Sequence, residues 1–348
     1  MTKNLNIKKF YNTIIVGSGI SGSVLAYELQ KRNRDFLIFS SEKSALENTS
    51  SLSFGHTRIV KKKDLEKIVN ICKKKLGENE KKTGFIYSNS HLSKELFNEL
   101  DVPYQKRSFG IIPKTKKRGG FEILKRLQKG VDILTETILI DFERKNDVFA
   151  LTLNSRNKKL SIQCKNLILC TGGYGGTFKY NDNIKYKIYN IFDLVKKNKG
   201  SIINLDSIFV HPFGYLKGRL ILIGKESKKG EFVNEKNELI FPKRIRKLIK
   251  EDNYHESFSE ILKIIYELKA KKRKIFYVFK NKKLEIVPTV HYTSGGIQTN
   301  HLGEVKNIKN LYAIGECQAN GDKNTGRLPG YPFTSAIVYG KYLSKILK

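Results

Sequence analysis

The segment His291–Gly340 reads HYTSGGIQTNHLGEVKNIKNLYAIGECQANGDKNTGRLPGYPFTSAIVYG, and its reading decides the fold. Ser294-Gly295-Gly296 lets main chain come close to a neighbour, because two consecutive residues carry no side chain. Gly296 to Asn300 predicts a short strand, turned by Asn300 to Gly303. Leu311 to Ile314 is a buried-strand run that stops at Gly315-Glu316, so a single carboxylate stands at a strand's carboxyl end, where open α/β sheets hold their ligands. Beyond the loop around Arg327, Pro332 suits the first turn of a helix whose apolar positions Phe333, Ile337, Val338 and Leu343 recur at helical spacing. The positive amino end of that helix and its unpaired N–H groups favour a negatively charged ligand.

Working outward, the amino end supplies the matching half. Asn12 to Val16 is a short apolar run that leads into Gly17-Ser18-Gly19-Ile20-Ser21-Gly22, then a helical pattern through Ala26 and Leu29, then Asp35 to Phe39. Strand, glycine turn, helix and strand in this order are the context in which G-x-G-x-x-G binds a pyrophosphate at a helix amino end. An acidic residue usually follows the second strand to hold a ribose, whereas this chain has Ser40-Ser41 with Glu42 beyond. A second apolar strand, Asn166 to Cys170, ends in Thr171-Gly172-Gly173 and a further pair, Gly175-Gly176.

These residues resemble the FAD-dependent fumarate reductase, succinate dehydrogenase and L-aspartate oxidase flavoprotein superfamily. The resemblance rests on His291-Tyr292-x-x-Gly295-Gly296-Ile297, on Leu311-Tyr312-Ala313-x-Gly315-Glu316, on Arg327-Leu328 before the terminal helix, and on the doubled glycine pairs after Thr171. It implies FAD as cofactor, held by Gly17, Gly19, Ser21, Gly22, Ser40, Thr171, Gly172, Gly173, Gly315 and Glu316, with Pro332 and Phe333 against the flavin's pyrimidine edge. Ser40 in place of the acid points within the superfamily to L-aspartate oxidases. Asn48 to Gly55 looks like the second flavin-contacting loop, bringing in Thr49, Ser50 and Gly55, although Phe54 replaces one glycine of its usual pair. Membrane succinate dehydrogenases carry the flavin covalently on a His of this loop, and Asn48 stands at the matching position. The resemblance therefore implies non-covalent FAD.

The resemblance also implies the substrate side. Ile208 to Pro212 is similar to the family's His-Pro-Thr, with Phe213 in place of Thr, so His211 joins His291 and Arg327 as carboxylate-binding candidates. An Arg fork and imidazole donors match a carboxylate. The family's proton-transferring Arg, in an Arg-Gly-Glu-Gly context, has no counterpart in Lys225 to Gly230; Lys225 and Arg219 are candidate substitutes, with ordinary solvated surface charge as the alternative reading. A missing proton donor would slow reduction of a carbon–carbon double bond more than oxidation of an amine. The expected activity is accordingly L-aspartate oxidase-like hydride exchange between flavin N5 and a small carboxylate, with an unidentified electron acceptor. The alternatives are a soluble fumarate reductase or succinate dehydrogenase type, and a flavin-binding protein without turnover that uses a basic surface.

The expected fold is α/β, a Rossmann-like FAD-binding domain with a reduced α+β capping domain. Residues 1–212 form the first part of the FAD-binding domain, with a charged helical insert at 57–108, residues 213–288 the capping domain, and residues 289–348 the second part. Within these, Val131 to Leu134 and Phe149 to Leu153 predict strands of a smaller sheet beside the first, Gly119 starts an amphipathic helix, Phe232 to Phe241 makes a hairpin, and Phe258 to Leu268 a helix.

A chain of 348 residues with 39% hydrophobic residues can bury a large core. It has no apolar run of the ~18 residues needed to span a bilayer and no apolar leader, which predicts a cytoplasmic protein. Its four scattered cysteines form no C-x-x-C pair and predict small buried hydrophobes, and no metal site is expected. The net charge of +33 could draw an acidic partner or polyanion, but lysines are spread along the chain, as a general lysine bias would also produce.

Overall fold

A computed structural model describes residues 7–184, 190–217, 219–251, 257–321 and 327–347, apart from the side chains of Arg219 and Lys225. Two compact units divide the chain: Met1–Tyr174, Tyr186–Ser207 and Thr293–Lys348 make the first, and Gly175–Lys185 with Ile208–Tyr292 the second.

The first unit is built on a seven-stranded sheet. Its middle is the strand Phe10–Val16, which lies parallel to Phe36–Phe39 on one side and to the second half of Lys158–Leu169 on the other. Leu311–Ala313 joins the same half of Lys158–Leu169, also parallel. Ile14, Ile15, Leu167, Ile168 and Leu169 are fully buried, as a parallel sheet covered on both faces requires. The helices Ile20–Lys31 and Tyr331–Ile346 pack against each other, and a Cβ on Gly340 would be driven into Val24.

The strand Val148–Ser155 is not part of a separate small sheet. It pairs antiparallel with the first half of Lys158–Leu169, and Ile133–Leu134 adds parallel to Phe36–Phe39, so both strands extend the main sheet. The 12-residue length of Lys158–Leu169 makes this possible, because one half serves the nucleotide strands and the other half a hairpin. The insert folds as the helices Leu65–Leu76, Glu80–Ser88 and Leu92–Glu99.

The second unit has a five-stranded sheet in the spatial order 219–222, 208–217, 282–293, 276–279, 231–233. The helices Lys243–Lys250 and Phe258–Ala270 contribute Ile245, Ile249, Ile261 and Ile265 to its core, where Phe213, Tyr277 and Ile286 are also buried. The expected boundaries at Pro212 and Pro288 fall inside the strands Ile208–Lys217 and Lys282–Thr293, so His211 and His291 both belong to this unit. The hairpin expected over Phe232 to Phe241 forms, with Ile240 N donating to Phe232 O.

The four cysteines are free and buried, and burial raises their thiol pKa values, that of Cys317 to about 11. Among the described residues no helix is long and apolar enough to cross a membrane, and no cluster of three metal-ligating side chains occurs.

Candidate active site

Strand register decides what the first unit can hold. Val16 pairs with both Phe39 and Leu169, and Leu169 pairs with Ala313. The segments that follow these residues, beginning at Gly17, Ser40, Cys170 and Ile314, therefore emerge along one edge, at the carboxyl ends of parallel strands.

Gly17 takes a positive φ of 109°, and a Cβ there would run into the carbonyl of Cys170. The turn can therefore be this tight only with glycine, and Gly22 lies directly against the Gly17 carbonyl. The helix that follows starts at Ile20 with no acidic residue in its first turn, which leaves its positive end to a ligand. Ser50 Oγ accepts from Ile20 N at 3.1 Å, tying the second loop to this turn, and Ser21 lies against Gly315. Ser40 is buried at the end of its strand, with its N donating to Leu134 O.

Asn48 caps the one-turn helix Thr49–Leu52: its Oδ1 accepts from Ser51 N at 3.0 Å, and its Nδ2 donates to Ala45 O at 2.8 Å. Gly55 is pressed against Gly119 at the start of the helix Gly119–Leu127, which explains the glycine by packing.

Glu316 is held by a residue that the sequence reading did not single out. Its Oε1 accepts from Thr293 N at 2.9 Å and from Thr293 Oγ1 at 3.1 Å. A Cβ on Gly173 would strike both Thr293 and this carboxylate, so the glycine pair after Thr171 exists in part to let Glu316 in. Gly295 and Gly296 likewise make close approaches, to the main chain of Asn204 and Cys317. The terminal helix begins after Gly330 and carries Pro332 in its first turn, as expected. The Phe333 side chain packs in the core with Ile20, Val24 and Ile337, so its main chain is what remains for a ligand.

These features suit FAD. A glycine turn with an uncharged helix start fits a pyrophosphate, a serine at the strand end fits a ribose hydroxyl, a fixed carboxylate fits a ribityl chain, and a helix start fits an electron-rich ring edge.

In the second unit His211 and His291 stand with ring centroids 6.5 Å apart. Phe213 N donates to His211 Nδ1 at 3.1 Å, which places the proton of a neutral His211 on Nε2. His291 Nδ1 lies 2.8 Å from Asp182 Oδ2. A carboxylate only accepts, so His291 carries its hydrogen on Nδ1. Phe209 and Phe258 pack around the pair. Asp182 was not among the candidates, and no local motif marks it. Arg327 belongs to the first unit, where it and Arg58 exert a favourable field on the buried carboxyl of Glu78. Of the substitutes proposed for the missing arginine, the side chains of Arg219 and Lys225 lie outside the described residues.

Comparison with known proteins agrees with this geometry. Residues 11–205 match the pyridine nucleotide-disulphide oxidoreductase family model, and residues 222–332 match the FAD binding domain model. An L-aspartate oxidase of Clostridium perfringens is 25% identical over an alignment that takes in 96% of this chain and 86% of that protein. The fumarate reductase flavoprotein subunit of Proteus vulgaris is 39% identical over 61 residues, 18% of this chain and 10% of that one. A solved quinol-fumarate reductase with menaquinol superposes with a TM-score of 0.79 at 16% identity, covering 97% of this chain and 70% of its own. The protein is an FAD-dependent oxidoreductase with non-covalent cofactor, and the chain belongs, as a diverged member, to the fumarate reductase, succinate dehydrogenase and L-aspartate oxidase flavoprotein superfamily.

Proposed function

We propose that the protein exchanges hydride with a small dicarboxylate of the succinate or fumarate type, which puts first the activity that the sequence reading put second. The observation that carries this is the state of Asp182. An amino-acid substrate needs an acceptor for its ammonium group, and among the described residues the carboxylate bonded to His291, Asp182, is engaged there at 2.8 Å. An imidazole such as that of His211, with its donor at Nε2, and a guanidinium such as that of Arg327 are each groups that recognise carboxylate oxygens. Glu316, Ser40 and the Gly17–Gly22 turn hold FAD, which supplies the redox chemistry when bound.

Oxidation of L-aspartate is the second reading, favoured by the length over which the Clostridium perfringens L-aspartate oxidase matches. The two separate in an anaerobic cuvette. Succinate should bleach the oxidised flavin, or fumarate reoxidise the dye-reduced flavin, faster than L-aspartate acts. Bleaching by L-aspartate alone would select the second reading, and a flavin inert to all three would overturn both.

A further inference from the structure

We infer that Lys82 is a positioning residue for the cofactor: through it the helical insert, for which the sequence reading found no role, clamps the turn that carries Glu316. The inference rests on the reading that Glu316 holds FAD.

The turn is short, so whatever fixes its end fixes Glu316. Gly315–Cys317 forms a single 3₁₀ turn, closed by Gln318 N donating to Gly315 O at 3.2 Å. The residues that follow are held from two sides. On one side Ala319 N donates to Ile297 O and Asn320 N to Ser294 O, both at 2.9 Å. On the other side lies the insert. Asn79 N donates to Asn320 O at 3.2 Å, Glu78 bridges antiparallel to Gly321, and a Cβ on Gly321 would run into the carbonyl of Gly77.

Lys82 ties these contacts to the turn. It stands near the start of the helix Glu80–Ser88, whose cap Asn79 accepts from Lys82 N through Oδ1 at 3.1 Å. The residue is buried, at 4% exposure, so its ammonium must find acceptors within the protein. Nζ donates to Ala319 O at 2.6 Å and to Thr299 Oγ1 at 3.2 Å. Thr299 Oγ1 also accepts from Gln318 Nε2 at 2.7 Å, and Gln318 is itself buried. Ammonium, hydroxyl and amide thus form one buried network around Gln318 and Ala319, directly after Cys317.

Bonds from a charged donor are short and directional, so they restrict the Ala319 carbonyl more narrowly than apolar packing would. A turn that is already ordered meets less ordering cost when Glu316 engages the cofactor. Lys82 therefore acts on the cofactor through Glu316 and touches no part of it.

The test is a double-mutant cycle on FAD retention in holoprotein kept in excess FAD and then serially diluted. Lys82→Met should weaken retention by about 10-fold, the worth of one hydrogen bond to a charged group. In the Glu316→Ala background the same substitution should weaken it far less, because a residue that acts through Glu316 has nothing left to position. Equal losses in the two backgrounds, or no loss in either, overturn the inference. Retention unchanged by Glu316→Ala alone sinks the reading of Glu316 and the inference with it. Thr299→Val is the milder variant, since it removes the shared acceptor and spares the ammonium. It should speed hydrogen exchange in 315–321 of the holoprotein and lower FAD retention in the same direction. Exchange and retention equal to wild type overturn the inference whether or not Lys82→Met folds.

Discussion

Lys341 Nζ lies 2.9 Å from Glu28 Oε1, joining the terminal helix to the helix of the glycine turn, with side-chain exposures of 8% and 3%. A second carboxylate, Glu99 Oε1, sits 2.8 Å from the same ammonium. Burial alone would lower the Lys341 pKa, but the two carboxylates prevail and raise it. Removing the lysine leaves the buried Glu28 carboxylate with the longer approaches of Lys31 at 4.0 Å and Arg32 at 3.9 Å. Lys341→Ala should destabilise the protein by ~3–5 kcal/mol in denaturant titration, and the pair Lys341→Met with Glu28→Gln should recover much of this. A single variant as stable as wild type would show that the pair contributes no net stability.

Glu316 is preorganised by Thr293, and its loss should be felt at the cofactor. Glu316→Ala should weaken FAD retention by about 10- to 100-fold, the worth of one or two hydrogen bonds to a charged group. Thr293→Val, which keeps the main-chain N–H, should have a smaller effect in the same direction. Flavin fluorescence released on serial dilution measures both.

Asn48, expected from the resemblance to stand where membrane succinate dehydrogenases attach flavin, is an amide engaged as a helix cap. Acid precipitation should therefore leave yellow FAD in the supernatant, and a denaturing gel should show no fluorescent band. Flavin remaining with the pellet would contradict non-covalent binding.

Glu78, in the turn between the first two helices of the insert, is buried, and burial raises its pKa from 4.5 to about 7, against the opposing pull of Thr83, Cys72, Arg327 and Arg58. A carboxyl that binds its proton more tightly when folded stabilises the protein below its unfolded pKa and loses that contribution as pH rises. Between pH 4.5 and about 7 the loss from this group is about 3 kcal/mol. Thermal melts across that range should show wild type losing stability relative to Glu78→Gln, and parallel curves would mean that Glu78 titrates normally in the fold.

Much of the nucleotide side was legible because its determinants are local. The Gly17–Gly22 turn lies between an apolar strand and an amphipathic helix, and Leu311–Glu316 is a strand that ends on a carboxylate. In both, the residue types and their spacing specify the backbone within a dozen positions. The terminal helix was legible for the same reason, since Pro332 and the apolar period of Phe333, Ile337 and Leu343 mark its start and its buried face.

What the sequence by itself determined, then, is the set of elements and the chemistry at their ends. Tertiary structure decided which of them meet. Alternation in Val148–Ser155 specifies two faces but not a partner, so only the length of Lys158–Leu169 put it into the main sheet. Thr293 and Glu316 are 23 residues apart, and Asp182 and His291 109, with no periodicity linking either pair. Glu78 acquires its pKa from being buried, a property of packing that its neighbours in the chain, Gly77 and Asn79, do not encode. Hydrogen bonds and desolvation act over a few ångströms of space, whereas a sequence pattern reports only along the chain, so the groups that position the site's charges became visible only once the strands were in register.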